Sequence, residues 1–160
     1  MTRKVFEILE NDARLTAEQV ATMAGMTEAE VKKVVAEAEK ERVIVKYKTM
    51  INWEKAGDDR VWAMIEVKMQ PQKDVGFDAL AERIYRFPQV RTLYLVSGTY
   101  DLSVFVVGKT VQEVGLFVSQ KLAPLEGVQG TVTHFLLRRY KEDGEVLHAG
   151  GEDKRQPLSI

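Results

Sequence analysis

The sequence predicts an α+β chain, with helices gathered in its first third and a β-α-β-β-α-β run after them. Helix-start signals follow one another closely between Thr16 and Glu30. From Val61 onward the apolar period changes from helical to two, the spacing of a strand. The third observation is the stretch Thr92 to Gly108, T-L-Y-L-V-S-G-T-Y-D-L-S-V-F-V-V-G, which reads as two strands closed by a short turn at Ser97–Thr99. Gly98 supplies the permissive backbone such a turn needs. On the outgoing strand Tyr100, Leu102, Val104 and Val106 point one way, and Asp101, Ser103, Phe105 and Val107 the other. A strand with one wet face alternates apolar with polar. This one is apolar on nearly both faces, so both are expected to meet protein, and Asp101 is the polar residue that needs a reason.

The bulk numbers bound the possibilities. At 160 residues and 45% hydrophobic the chain can build a real core, in one domain or two small ones. A formal net charge of -1 gives no global basic field toward nucleic acid or an anionic membrane, so any such contact must be local. The absence of cysteine excludes disulfides, thiolate metal sites and thiol catalysis, and fits a reducing compartment. No apolar run approaches a membrane span and the N-terminus lacks a signal-peptide core, so a soluble cytoplasmic protein without membrane partners is expected.

In chain order, Val5, Ile8 and Leu9 give a first helix from Thr2 to Glu10, ended by Asn11-Asp12. Thr16 with Gln19 makes a capping box and Leu15 with Val20 a hydrophobic staple, so a helix starts at Ala17 and runs through Val20, Ala21 and Met23 until Gly25. Thr27 with Glu30 and Met26 with Val31 repeat the signature at once, and Val31, Val34, Val35 and Ala38 form the buried stripe of the next helix. R-V-I-V-K-Y-K-T-M-I then reads as a pair of short strands. Two helices joined by a short Gly-containing turn, with a helix before and a β-ribbon after, make a winged helix-turn-helix over residues 1–51. Its second helix would lay Glu28, Ala29, Lys32, Lys33 and Ala36 in the major groove of double-stranded DNA. The DNA-contacting candidates are Arg14, Thr27, Glu28, Lys32, Lys33, Lys46 and Lys48. Lysines suit phosphates or guanine edges, and a glutamate accepts from cytosine. Against this, Met1–Lys48 holds as many acids as bases, which is unusual for a DNA-binding domain.

Residues 52–60, with Gly57-Asp58-Asp59, look like a linker. A strand follows, with Val61, Ala63, Ile65 and Val67 against Trp62, Met64, Glu66 and Lys68, and Pro71 at its end. Phe77, Leu80, Ala81 and Ile84 mark a helix stopped by Pro88. After the hairpin, Thr110 with Glu113 caps a helix striped by Val111, Val114, Val118, Leu122 and Leu125, with Pro124 near its end. Val128 to Tyr140 reads as the last strand. The order over residues 61–141 is the ferredoxin-like plan, whose helices cover one sheet face. An apolar opposite face favours a two-fold dimer packed sheet against sheet. Residues 142–160 form a polar, Gly-rich tail that is expected to be frayed.

With both halves placed, the chain resembles the Lrp/AsnC (feast/famine) family of transcription regulators from about Val5 to Lys141. The marks are I-L-E-N-D-A-R-L-T, M-T-E-A-E-V, V-I-V-K-Y, V-S-G-T-Y-D-L and L-A-P-L-E-G-V-Q-G-T-V-T-H-F-L-L-R-R-Y-K. The resemblance implies a second domain that senses amino acids and drives dimers into tetramers or octamers, with effectors bound between dimers near the G-x-Y-D turn. By position it implicates Gly98, Thr99, Tyr100 and Asp101, with Thr131 and Thr133 as neighbours. Asp101 suits an ammonium, and turn N–H groups or a threonine hydroxyl suit a carboxylate. The sequence departs from the family pattern at Val34, where an arginine is usual, at Ala38 for a leucine, and at Arg42 for a glycine after the helix. Each substitute is expected to suit a helix or its end.

Two other functions compete with an effector-responsive DNA-binding regulator. One is a metabolite-sensing module without DNA binding, favoured by the neutral first domain. The other is an enzyme, since a branch resembling this family decarboxylates sirohaem. His134 is the only histidine in a predicted strand, and there is no Ser/His/Asp set, no Gly-rich phosphate loop and no metal-ligand cluster. No cofactor or metal is expected.

Overall fold

The computed structural model describes residues 2–70 and 77–148. The chain divides into two compact units, Met1–Ile51 and Asn52–Ile160.

In the first unit α1 (Thr2–Asn11), α2 (Ala17–Ala24) and α3 (Glu28–Lys40) pack around Val5, Val20, Ala21, Ala24 and Val31. Both capping boxes form. The Thr16 hydroxyl accepts from Gln19 N–H at 3.3 Å while the Gln19 side chain accepts from Thr16 N–H at 2.9 Å. Thr27 and Glu30 repeat this at 3.3 and 2.8 Å. Gly25 ends α2 at φ 70, in the left-handed region that lets the chain turn tightly into α3. The buried side of α2 is Val20, Ala21 and Ala24, and Met23 is exposed.

The expected wing is not observed. Val43 to Ile51 carries no strand ladder, and Val43, Val45, Tyr47 and Ile51 are exposed. A two-stranded ribbon with no face packed on a core has little to hold it. The end of α3 uses the residues that would have begun it. Arg42 N–H bonds Glu39 C=O at 3.1 Å and Val43 N–H bonds Ala38 C=O at 2.8 Å, the paired bonds of a Schellman cap. That cap places its turning residue in the left-handed region, and Arg42 sits there at φ 58. The expectation that Arg42 suits a helix end is therefore corrected, because a Cβ in this conformation is strained.

The second unit is a four-stranded antiparallel sheet of order β2-β3-β1-β4, formed by Val61–Met69 (β1), Val90–Leu95 (β2), Leu102–Gly108 (β3) and Val128–Phe135 (β4). With α4 (Phe77–Tyr85) and α5 (Val111–Phe117) the order is the ferredoxin-like βαββαβ. Ala63, Ile65 and Val67 on β1 and Leu102, Val104 and Val106 on β3 are buried with Leu80, Ile84, Val114, Phe117 and Leu122, so both helices cover one face. Phe77 and Val111, expected in the helix stripes, are exposed at the helix starts. The second helix does not stay α-helical: Val118–Leu122 is a π-turn, closed by Ala123 N–H on Val118 C=O at 2.8 Å. The wider turn brings Phe117 and Leu122, five positions apart, onto the same buried face. Phe117 was not in the expected stripe.

Three boundaries differ from expectation. β4 ends at Phe135 rather than Tyr140, because β1 offers no partner beyond Trp62, whose C=O takes the last bond from Leu136 N–H at 2.9 Å. The segment read as a linker is folded into the second unit. Its Asn52 side chain donates to Leu147 C=O at 2.8 Å, and Arg60 pairs with Asp58 and stacks over Trp53. The tail is ordered through His148, with Lys141–Glu142 (β5) pairing Glu145–Val146 (β6) and Tyr140 packing edge-on to His148. Pro71 and the rest of the tail, residues 149–160, lie outside the described residues.

Replacing Arg42 with glycine should relieve the left-handed strain and stabilise the first unit by about 1 kcal/mol. A higher urea midpoint at unchanged slope checks this.

Candidate functional site

Two regions carry the sequence-predicted site residues. The first is the outer side of α3. Its capping box fixes the start, and its buried side, Val31 and Ala38, turns the other side to solvent. Of the DNA candidates, several are already engaged. Thr27 Oγ1 bonds Glu30 at 2.8 Å as part of the cap. Lys32 pairs with Glu28 at 2.6 Å. Arg14 grips Asp12 with two bonds of 3.0 Å and holds that carboxyl down to about 2. Lys33, Lys46 and Lys48 are exposed and form no ion pair among the described residues. Tyr47 donates to Glu39 at 2.9 Å, tying the extended segment after α3 back onto that helix.

The second region is the connection between β2 and β3. It is longer than a tight turn: β2 stops at Leu95, β3 starts at Leu102, and Val96 N–H closes the loop on Asp101 C=O at 2.9 Å. Gly98 has φ 152, outside the comfortable range of any residue with a Cβ. Asp101 is an anchor. Its N–H bonds Val67 C=O at 3.0 Å, and its carboxylate accepts Met69 N–H at 2.7 Å and meets Lys68 Nζ at 3.3 Å. The Met69 N–H bond, with the Lys68 ammonium beside it, holds the carboxyl below its ordinary value of 3.8 against some opposing desolvation. Lys68 and Met69 were absent from the sequence-predicted site. The register could have revealed them, since Val67 opposite Leu102 places Lys68 beside Asp101.

Gly98, Thr99, Tyr100 and Asp101 thus share one loop, but Thr131 and Thr133 are not gathered to it. They pair with Val67 and Ile65 on the far side of β1, two strand spacings or about 10 Å from β3. Being opposite Val67 and Ile65, they also belong to the helix-covered face.

The other sheet face is open in the single chain. Trp62, Met64, Phe105 and Val107 sit half-buried on it, with exposed Tyr94 edge-on to Phe105 and exposed Val132 beside them. Arg139 lies over the Trp62 ring, 3.9 Å from its centroid. His134 is paired with Glu66 at 3.2 Å. Among the described residues no group of three or more His, Asp or Glu is placed to hold a metal ion, and no helix is long and apolar enough to cross a membrane.

A three-helix unit of helix-turn-helix form, joined to a ferredoxin-like unit, defines a class: helix-turn-helix transcriptional regulators with a ligand-binding second domain. The Lrp/AsnC ligand binding domain matches residues 62–146. Bacillus subtilis (strain 168) has a relative, the uncharacterized HTH-type transcriptional regulator YugG, 48% identical over 157 residues that span 98% of this chain and 95% of YugG. The uncharacterized HTH-type regulator PH0140 of Pyrococcus horikoshii is 31% identical over 134 residues, 84% of this chain and 82% of its own. The chain belongs to the Lrp/AsnC family of transcriptional regulators. Solved structures agree in fold: E. coli AsnC at TM-score 0.68 and 18% identity, covering 88% of this chain and 93% of its own, and the Neisseria meningitidis regulator NMB0573 in complex with L-Met at TM-score 0.70 and 19% identity, covering 88% and 90%. These relatives are regulators rather than enzymes, and the sirohaem reading is set aside.

Replacing Asp101 with asparagine should weaken the second unit by about 1.5–3 kcal/mol at pH 7, the scale of a hydrogen bond to a charged group. A carboxyl whose folded value lies below 3.8 stabilises fully above that pH and loses the contribution as pH falls through the lowered value. The gap between wild type and variant in urea titrations should therefore close under strongly acid conditions.

Proposed function

We propose that the protein is an oligomeric regulator that binds operator DNA through α3 and whose assembly responds to a small effector, an amino acid in the first instance. One observation carries the DNA reading: α3 is capped and held by its buried side while its outer side stays open, with Lys33 in no ion pair among the described residues. The formal neutrality of the first unit weighs less than it did in sequence. Five of its acids have local partners: Glu7 with Arg3, Asp12 with Arg14, Glu28 with Lys32, Glu30 in its cap, and Glu39 with Tyr47. The open apolar sheet face favours a second copy as its cover, giving the two-fold pairing that a two-fold operator needs. Further gathering of dimers into tetramers or octamers would set how many α3 helices reach DNA together. The effector would sit at the 98–101 loop, with Asp101 facing its ammonium and loop N–H groups its carboxylate. Assembly and operator affinity are then linked reciprocally to effector binding.

A gel-shift titration on the DNA upstream of the protein's own gene tests the first half. Binding should fall steeply with salt, and replacing Lys33 or Lys46 with alanine should weaken it and lower the log–log salt slope by about one each. Arg14→Ala, whose guanidinium is already neutralised by Asp12, should change the slope little. No complex at low salt, with or without amino acids, defeats the DNA reading.

A thermal-shift screen of the twenty amino acids tests the second half. At least one should raise the melting temperature of the wild type, and Asp101→Ala should abolish that rise. An undiminished rise in the variant takes Asp101 out of the effector site.

A further inference from the structure

The outer side of α3 has a composition that neither its capping nor its packing explains. Ala29, Lys33, Ala36 and Lys40 are all exposed and stand at i, i+4, i+7 and i+11, a single stripe along the helix. This stripe lies opposite the buried pair Val31 and Ala38. No acid falls on it. Glu28 is turned aside to Lys32, Glu30 is used by the cap, and Glu39 is held by Tyr47, while exposed Glu37 flanks the stripe one turn on from Lys33. Lys33 and Lys40 form no ion pair among the described residues. The side of α3 most distant from the core therefore alternates a methyl group with an exposed ammonium. Lys40, in the last turn of α3, was not among the sequence-predicted DNA residues.

In the major groove the thymine C5-methyl is the one apolar group on a base edge, and alanine is among the side chains that contact it. An alanine at the apex of the helix also leaves room for the backbone to approach the groove floor, while lysines beside it reach outward to phosphate or guanine. Ala29 and Ala36 are seven residues apart, about 10 Å along the helix, which corresponds to roughly three base steps. Resting on the DNA reading above, we infer that α3 recognises thymine methyl groups through Ala29 and Ala36, at two positions about three base pairs apart in each half-site, with Lys33 and Lys40 on the flanking phosphates or guanines.

Uracil interference tests this. The DNA upstream of the gene is synthesised with sparse uracil in place of thymine, so that single methyl groups are missing. Bound and free fractions are separated and the uracils mapped by glycosylase cleavage. The wild type should show two sensitive positions per half-site, about three base pairs apart, each losing about fourfold in affinity for one methyl. In Ala36→Gly the sensitivity at one position should vanish while the other remains, and Ala29→Gly should give the reverse. The thymine-to-uracil ratio is taken within each variant, so a change in helix stability cancels. Ala29 lies in the first turn of α3, where glycine disturbs the helix least. A complex indifferent to uracil at every position leaves the DNA reading standing and overturns this inference. So does sensitivity that persists unchanged in both variants. Failure to bind the fragment at any salt removes the DNA reading and this inference with it.

Discussion

The second unit depends on one constraint, the register of β1 against β3, in which Val61 faces Gly108 and Val67 faces Leu102. Side chains alternate strictly along a strand, so a slip of one residue would exchange the two faces of the sheet. In the observed register Ala63, Ile65, Val67, Leu102, Val104 and Val106 all meet the helices and are buried almost completely. Slipped by one, Glu66 and Ser103 would be driven toward that core. Both strands are apolar enough that alternation alone gives a weak preference, since Trp62, Met64, Phe105 and Val107 could also fill a core. The end of the register is pinned by something other than apolar pattern. Asp101 takes Met69 N–H where the β1–β4 pairing shifts, between Lys68 and Met69, and gives its own N–H to Val67. A polar anchor at one end of an apolar ladder selects between two packings that burial alone separates poorly.

How much of this could be read from the sequence follows from the range of the forces involved. The capping boxes at Thr16 and Thr27 are local, complete within four residues, and form as expected. The β-α-β-β-α-β order rests on periodicity and holds as well. What escaped is decided at longer range. The wing pattern in V-I-V-K-Y is genuine strand propensity, but no partner strand lies against it among the described residues. The π-turn at Val118 answers to the need to seat both Phe117 and Leu122, which a regular helical stripe does not suggest. The β5–β6 hairpin is held partly by Asn52, ninety-five positions away, so composition alone made it look frayed. At the candidate site, the loop residues Gly98 to Asp101 were legible as a polar break in an apolar hairpin. The partners of Asp101 and the separation of Thr131 and Thr133 became visible only with the pairing register.

Charge in the first unit shows the same division. Net charge is a sum, whereas recognition depends on which charges remain free at one face. The pairs Arg3–Glu7 and Lys32–Glu28 are one helical turn apart and Arg14–Asp12 two residues apart, all at the surface, where such pairs contribute little to stability. Their effect on the field is larger than their effect on folding. Each removes an acid and a base together from the surface potential, and the outer stripe of α3 holds Lys33 and Lys40 with Glu37 exposed at its edge. A neutral domain can thus present a positive helix face without any excess of basic residues.

Asp101 brings the structural and functional readings into contact, because an anchor and a ligand-binding carboxylate make different demands on the same oxygens. Its strong bond is to Met69 N–H at 2.7 Å, partly buried and built into the strand end. Its contact with Lys68 is longer, 3.3 Å, and the lysine side chain is 46% exposed. The two differ in what an incoming ammonium would disturb. Displacing Lys68 exchanges one cation for another on the open side of the carboxylate and leaves the backbone bond in place, while the released lysine regains water. Displacing Met69 N–H would cost the strand end its anchoring bond. In the proposed effector site Lys68 would therefore be the placeholder and Met69 N–H the permanent partner, which would let the same aspartate hold the fold and meet a ligand. The exchange also gives binding a structural consequence, since Lys68 is on β1 and lies on the open face that the second copy is proposed to cover. If the effector binds as proposed, a lysine freed from Asp101 on that face would change the charge presented to the partner copy, and so would connect occupancy of the loop to assembly without requiring the strands to move.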